Sequence, residues 1–218
     1  TMPQLSDHYR QRQPSAIRIA GMKFAERQDG AQAINVAIGN VSLPMHPALQ
    51  QRMNNLDATG SPFASGVVKY TATVGEAETN QAFLNIIASS GGNTEGLYSQ
   101  VTDGGSQAME LVILGVCGAA GSEDRPLLLI DAAYTNYLSF ADRLGRKTVS
   151  IQRQLQNNGK FTLPSSAAIE ATIELHRPGA LVIIPYDNPT GHLYDRQTLI
   201  ELALICVKHN LWIISDEA

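Results

Sequence analysis

A chain of 218 residues, 44% hydrophobic and 17% charged with a formal net charge of -4, is long enough for one large domain or for a core domain with a small extra lobe. Its 16 Lys and Arg are scattered among 20 Asp and Glu, which excludes the clustered basic surface that nucleic acid or a membrane selects and favours small, anionic ligands. No stretch reaches the roughly 20 apolar residues that span a bilayer, and no basic-then-apolar signal segment opens the chain. The cytoplasm is the expected compartment.

In chain order, the first third is irregular. An amphipathic helix is expected from Pro14 and Ser15 through Ile17, Ala20 and Phe24 to a stop at Gly30. A short apolar run, 34–38, meets Gly39-Asn40, and Pro44 and Pro47 precede a helix carrying Leu49, Met53 and Leu56. Residues 59–73, rich in Gly, Ser, Thr and Pro, read as a long loop of the kind that is often functional. The pattern then becomes regular, with a helix from about Ala77 to Gly91-Gly92, a run at 98–102, and a helix opening at Gly105-Ser106 and reaching Gly118. Strand 127–131, helix 138–144, a weaker strand at 148–152, helix 165–176, strand 181–185, helix 195–209 and strand 211–216 complete the chain.

Strands alternating with helices predict an α/β fold, a mostly parallel sheet flanked by helices. The runs at 127–130 and 181–184 are continuously apolar, as expected of strands buried on both faces. Cys117 and Cys206 lie in apolar stretches and read as core thiols.

Open α/β sheets bind ligands at the carboxyl ends of their strands. Four groups follow predicted strands there. Asp103-Gly104-Gly105-Ser106-Gln107 leaves a strand and opens a helix, where backbone NH groups and the Ser106 hydroxyl can close on a phosphate; an ordinary Gly-rich turn would look the same. Tyr134 and Tyr137 come next, and the Tyr134 ring can lie against a flat ligand or pack on a neighbouring loop. In Asp187-Asn188-Pro189-Thr190-Gly191 a rigid turn presents one amide side chain, or leads into the next helix. Asp216 is carried inward by the apolar run Leu211, Trp212, Ile213 and Ile214, where a buried carboxylate needs strong donors or a cation, a protonated pyridine nitrogen or an arginine; a carboxylate that emerges into solvent at the strand end would look the same.

Taken together and in this order, these residues resemble the class I/II aminotransferases of the fold-type I pyridoxal-phosphate family. The similarity runs from about residue 35 to 218 and is strongest at 70–75, 101–108, 188–191 and 215–218. The resemblance implies that Gly105, Ser106 and Gln107 bind the cofactor phosphate and that Tyr134 stacks on the pyridine ring. It implies that Asn188 bonds the ring's phenolic oxygen and that Asp216 pairs with the pyridinium nitrogen. Tyr70 would reach the phosphate of the neighbouring subunit, in a homodimer with shared sites, and the backbone of Gly39 would lie near the substrate carboxylate. The implied substrates are an amino acid and a 2-oxo acid, with lyase or decarboxylase chemistry on pyridoxal phosphate as the near alternative.

Two departures stand out. Where the family often has Pro-x-Tyr, this chain has Ala132-Ala133-Tyr134. The family also continues past the position of Ala218 to a tyrosine, the Schiff-base lysine and a C-terminal domain, and none of Lys23, Lys69, Lys147, Lys160 or Lys208 matches that lysine. The expected organisation is an N-terminal arm and part of a small domain over 1–58, then a pyridoxal-phosphate-binding large domain over 59–218, truncated at its C-terminal side. By itself such a chain is not expected to transaminate.

Three rival readings remain. Gly104-Gly105-Ser106-Gln107-Ala108 resembles the nucleophile turn of an α/β-hydrolase, with a triad of Ser106, Asp187 and His209. His8, His46, His176, His192 and His209 lack the spacing of a metal site. A regulatory domain that borrows the aminotransferase fold is the non-enzymatic alternative.

Overall fold

The computed structural model describes residues 2–39, 42–118 and 125–218, in two compact units, Thr1–Lys69 and Tyr70–Ala218. In the first unit, short helices α1 (Asp7–Arg10), α2 (Ala16–Ala25) and α3 (Pro47–Asn54) are joined by irregular chain. Ser15 caps α2 by accepting the Arg18 amide at 3.4 Å, and His46 caps α3 through Nδ1, ahead of Pro47 at the first helical position. Helix α2 stops at Ala25, short of the expected Gly30. The apolar run at 34–38 forms no strand and is exposed.

The second unit opens with α4 (Ala77–Ser89) and α5 (Gly104–Cys117), followed by β1 (Leu127–Asp131), α6 (Asn136–Arg143) and β2 (Thr148–Gln152). A two-stranded antiparallel ribbon, β3 (Gln154–Leu155) and β4 (Phe161–Thr162), comes next. Then follow α7 (Ser166–His176), β5 (Ala180–Ile183), α8 (Arg196–Lys208) and β6 (Trp212–Ser215). Strands β2-β1-β5-β6 form a four-stranded sheet in that order, every pair parallel. The run at 98–102 is not a strand, and Tyr98 within it is almost fully exposed.

Strand side chains alternate between the two faces of the sheet. Leu128, Ile130, Leu181 and Ile183 pack with Ile169 and Ile173 of α7 and Leu202, Ile205 and Cys206 of α8. On the other face, Leu127, Leu129, Ala180, Val182 and Ile214 pack with Ile113 and Cys117 of α5 and Tyr137 and Phe140 of α6. Both cysteines are free and buried, and β1 and β5 are buried on both faces, as their continuous apolar runs predict.

Strand β6 departs from expectation. It pairs only with β5 among the described residues, and as an edge strand it leaves Trp212 65% and Ile213 38% exposed. An apolar run cannot distinguish an edge from a centre, because neighbouring strands decide burial. Asp216 is therefore half-buried, not carried into the interior.

Candidate functional site

Register places Asp216. Strand β6 pairs with β5 so that Ile183 lies opposite Ser215, and the Asp216 amide then donates to the Ile183 carbonyl at 2.9 Å. Ile214 faces α5 and α6, so Asp216, two residues on, emerges on the same face. There the buried Tyr137 hydroxyl donates to its Oδ2, while the Ala218 amide donates to Oδ1 at 3.1 Å. No cation lies within ion-pair distance of Asp216 among the described residues. The arginine partner that the sequence leaves open is not there.

Tyr137 also meets Tyr134 edge to face, with ring centroids 6.1 Å apart at 84°. Tyr134 is half-buried, and its hydroxyl accepts from Asn136 Nδ2 at 2.6 Å. Ala132 and Ala133 in place of Pro-x thus still leave the Tyr134 ring against the aromatic cluster of α6. Burial foremost, and the Asp216 carboxylate next, raise the Tyr137 phenol far above the ordinary tyrosine range, so it stays a donor.

The turn after β5 is fixed from beneath. Tyr186 bridges Leu193, and the Gly191 amide returns to the Asp187 carbonyl at 2.9 Å, leaving Asn188 exposed at the tip. Asp187 Oδ2 accepts from the backbone NH and hydroxyl of Thr190. Its Oδ1 accepts from Arg153 Nη2 at 2.7 Å, and the same nitrogen donates to the Tyr194 hydroxyl at 2.7 Å. The Arg153 and Asp187 side chains are 1% and 2% exposed. Burial raises the Tyr194 phenol, with the Arg153 charge opposing. Ala133, Tyr137, Arg153, Asp187 and Tyr194 line one small cavity, so the Asp216 group and the Asn188 group meet at the carboxyl end of the sheet.

Helix α5 points its N-terminus toward that end. Its C-terminal turn lies against the start of β5, where a Cβ on Gly179 would fall 2.2 Å from the Val116 carbonyl oxygen. A helix of 14 residues is about 21 Å long, which carries Gly105, Ser106 and Gln107 toward the opposite end of the sheet. These three are exposed, in the first turn, where amide groups have no partner within the helix. Helix α5 begins at Gly104, one residue ahead of expectation, and Gln107 Oε1 accepts the Asp103 amide at 2.7 Å.

The segment bearing Tyr70 is tied to the same helix entrance. The Val101 amide donates to the Val74 carbonyl at 3.0 Å. Gly75, at φ +93, approaches so closely that a Cβ would sit 2.8 Å from Val101. Tyr70 itself is fully exposed. Gly39 belongs to the first unit and is exposed there; Asn40 lies outside the described residues.

The hydrolase triad is not assembled. His209 ends α8, just ahead of β6 and beside Glu170, at 4.0 Å, whereas Asp187 lies beyond the carboxyl end of β5 and is held by Arg153. The two are at opposite ends of the sheet. Neither Arg153 nor a role for Tyr137 is legible in the sequence: the first needs knowledge of which strand end is buried, and the second of which helix face meets β6.

This is a parallel α/β fold with an exposed glycine-rich helix start, an aromatic ring and a carboxylate without a cation among the described residues gathered toward one end of its sheet. The chain belongs to the aminotransferases of class I and II, whose family model matches residues 32–218. It is 25% identical to the Bacillus subtilis (strain 168) protein YugH, itself only provisionally assigned as an aminotransferase, over 98% of this chain and 51% of YugH. It is similar in structure to the aspartate aminotransferase of Thermus thermophilus with maleate, at TM-score 0.78 and 20% identity, over 99% of this chain and 53% of that one. A pyridoxal-phosphate-bound C-S lyase of Staphylococcus hominis shares the fold at TM-score 0.57 and 19% identity, over 71% of this chain and 39% of that one. The chain spans about half the length of the relatives it matches.

Proposed function

We propose that the polypeptide carrying this chain is a pyridoxal-phosphate-dependent aminotransferase that moves an amino group from an amino acid to a 2-oxo acid. The observation that carries this reading is Asp216: a half-buried carboxylate at the carboxyl end of a parallel sheet, oriented by a phenol and an amide and paired with no cation among the described residues. Such a carboxylate fits a ligand that brings its own cation, as a pyridinium does.

The other groups fit the rest of the cofactor. The first-turn amides of α5 at Gly105, Ser106 and Gln107, with the Ser106 hydroxyl, suit a phosphate. Tyr134 offers a ring face, and Asn188 an amide donor for a phenolic oxygen. When bound, pyridoxal phosphate supplies an electron sink for cleavage of the substrate's Cα-H bond. Asp216 holds a proton on the ring nitrogen, and Asn188 and Tyr134 fix the tilt of the ring. In this reading Tyr70 reaches the site of a second subunit in a homodimer, and the Gly39 backbone lies near the substrate carboxylate. Residues 1–58 form an arm and part of a small domain, residues 59–218 the large domain, and the cofactor-bearing lysine follows Ala218. No helix among the described residues is long and apolar enough to cross a membrane, and we assign the protein to the cytoplasm and to amino acid metabolism.

The test is a visible absorption spectrum of the protein purified with pyridoxal phosphate, before and after aspartate is added. A yellow band that bleaches, with a 2-oxo acid appearing in its place, supports transamination. Release of ammonia without transfer to a 2-oxo acid assigns a lyase instead. No band, and no cofactor fixed by borohydride, overturns the reading.

A further inference from the structure

We infer that Tyr137 is the positioning residue for Asp216: its hydroxyl fixes which carboxylate oxygen is presented to the ring nitrogen, while its ring sets the plane of Tyr134. This rests on the proposed role of Asp216 and goes beyond it, since the carboxylate alone does not determine its own direction.

Tyr137 is 1% exposed and among the largest fully buried side chains of the second unit. It is held on three sides. Its backbone amide donates to the Tyr134 carbonyl at 3.2 Å, its ring stands edge to face against Phe140 at 6.2 Å, and its ring meets Tyr134 at 6.1 Å. Residues three apart on a helix share a face, so α6 stacks Tyr137 on Phe140, and Tyr134, in the turn just ahead of the helix, extends the column. The hydroxyl at the end of this buried ring reaches across the chain to Oδ2 of Asp216, 79 residues away in sequence.

A phenylalanine would fill the same space but donate nothing. Oδ2 would then face a buried apolar ring edge, which an ionised carboxylate avoids by turning toward water or taking a proton. Either response withdraws the charge from a ring nitrogen. Burial, and then the Asp216 carboxylate, raise the phenol above the ordinary tyrosine range, which favours its protonated, donating form.

The experiment compares equilibrium binding of pyridoxal phosphate with that of its 1-deaza analogue, in which a CH group replaces the ring nitrogen, to the holoprotein stripped of cofactor. The wild type should prefer pyridoxal phosphate. Tyr137→Phe should lower that preference about tenfold, the scale of one hydrogen bond to a charged group, and leave analogue binding nearly unchanged. Phe140→Leu disturbs the same aromatic column without touching the hydrogen bond, and should lower the melting temperature while keeping the preference. A Tyr137→Phe variant that binds both compounds more weakly by the same factor overturns the inference, because Tyr137 would then only support packing. Asp216→Ala separates the two levels of the argument. If it abolishes the preference while Tyr137→Phe retains it, Tyr137 is not the positioning residue and the role of Asp216 stands. If it too retains the preference, Asp216 does not read the ring nitrogen, and both fall.

Discussion

Replacing Arg153 with methionine isolates the support beneath the Asn188 turn. The guanidinium and the Asp187 carboxylate are almost wholly buried and bonded at 2.7 Å. Removing one partner leaves the other charge without compensation, at a cost of about 3–5 kcal/mol. The pair is not ideal, however: Arg153 Nε and Nη1 are buried and find no acceptor among the described residues. Its net advantage over an uncharged pair is therefore small, and the cost of the single replacement lies in the stranded carboxylate. Arg153→Met with Asp187→Asn should then be more stable than Arg153→Met alone, since an amide oxygen can still accept from the Thr190 backbone NH. Equilibrium urea unfolding of the purified protein, followed by far-UV circular dichroism, measures all three. A loss below about 1 kcal/mol for Arg153→Met, the range of exposed ion pairs, or strict additivity in the double variant, would refute the argument.

Other substitutions probe separate contacts. Gly179→Ala puts a methyl 2.2 Å from the Val116 carbonyl oxygen, a clash with backbone that should cost at least the roughly 1–3 kcal/mol typical of overpacking, seen as a lower melting temperature. Thr190→Val removes the hydroxyl donor to Asp187 and should cost about 1–2 kcal/mol, with weaker pyridoxal phosphate binding if Asn188 contacts the cofactor. Burial pushes the Cys206 thiol up from 9.0 to about 11. A raised folded value means that stability is intact below about pH 9 and declines as pH rises toward 11, by up to about 1.4 kcal/mol per pH unit. Unfolding free energies measured across that window should lose this component of the slope in Cys206→Ala.

Much of the architecture is legible in the sequence because period and composition report burial directly. The runs at 127–131 and 180–183 carry no polar residue before their ends, and they are the two central strands. The run at 212–215 has the same composition and becomes an edge, because position within a sheet depends on strand order, which local pattern does not encode. The β3-β4 ribbon is not legible although Asn158-Gly159 lies at its turn, since strands of two residues have no periodicity to detect. The site divides in the same way. Asp216, Asn188 and Ser106 stand out because they follow apolar runs or sit in unusual turns. Arg153 and Tyr137 do not, because what distinguishes them is a partner dozens of residues away, Asp187 at 34 and Asp216 at 79.

The edge of β6 has a consequence for handling the chain. Its outer side presents peptide donors and acceptors that no strand satisfies among the described residues, next to the exposed rings and branched side chains of Trp212 and Ile213. Trp212-Ile213-Ile214-Ser215 holds neither lysine nor proline, the residues by which natural edges repel another strand. A preparation of this segment by itself should therefore be colloidally unstable, growing turbid with concentration through strand-to-strand addition. A single Ile213→Lys change, on the face away from Ile214, should restore clarity more than an equal increase in net charge elsewhere on the surface.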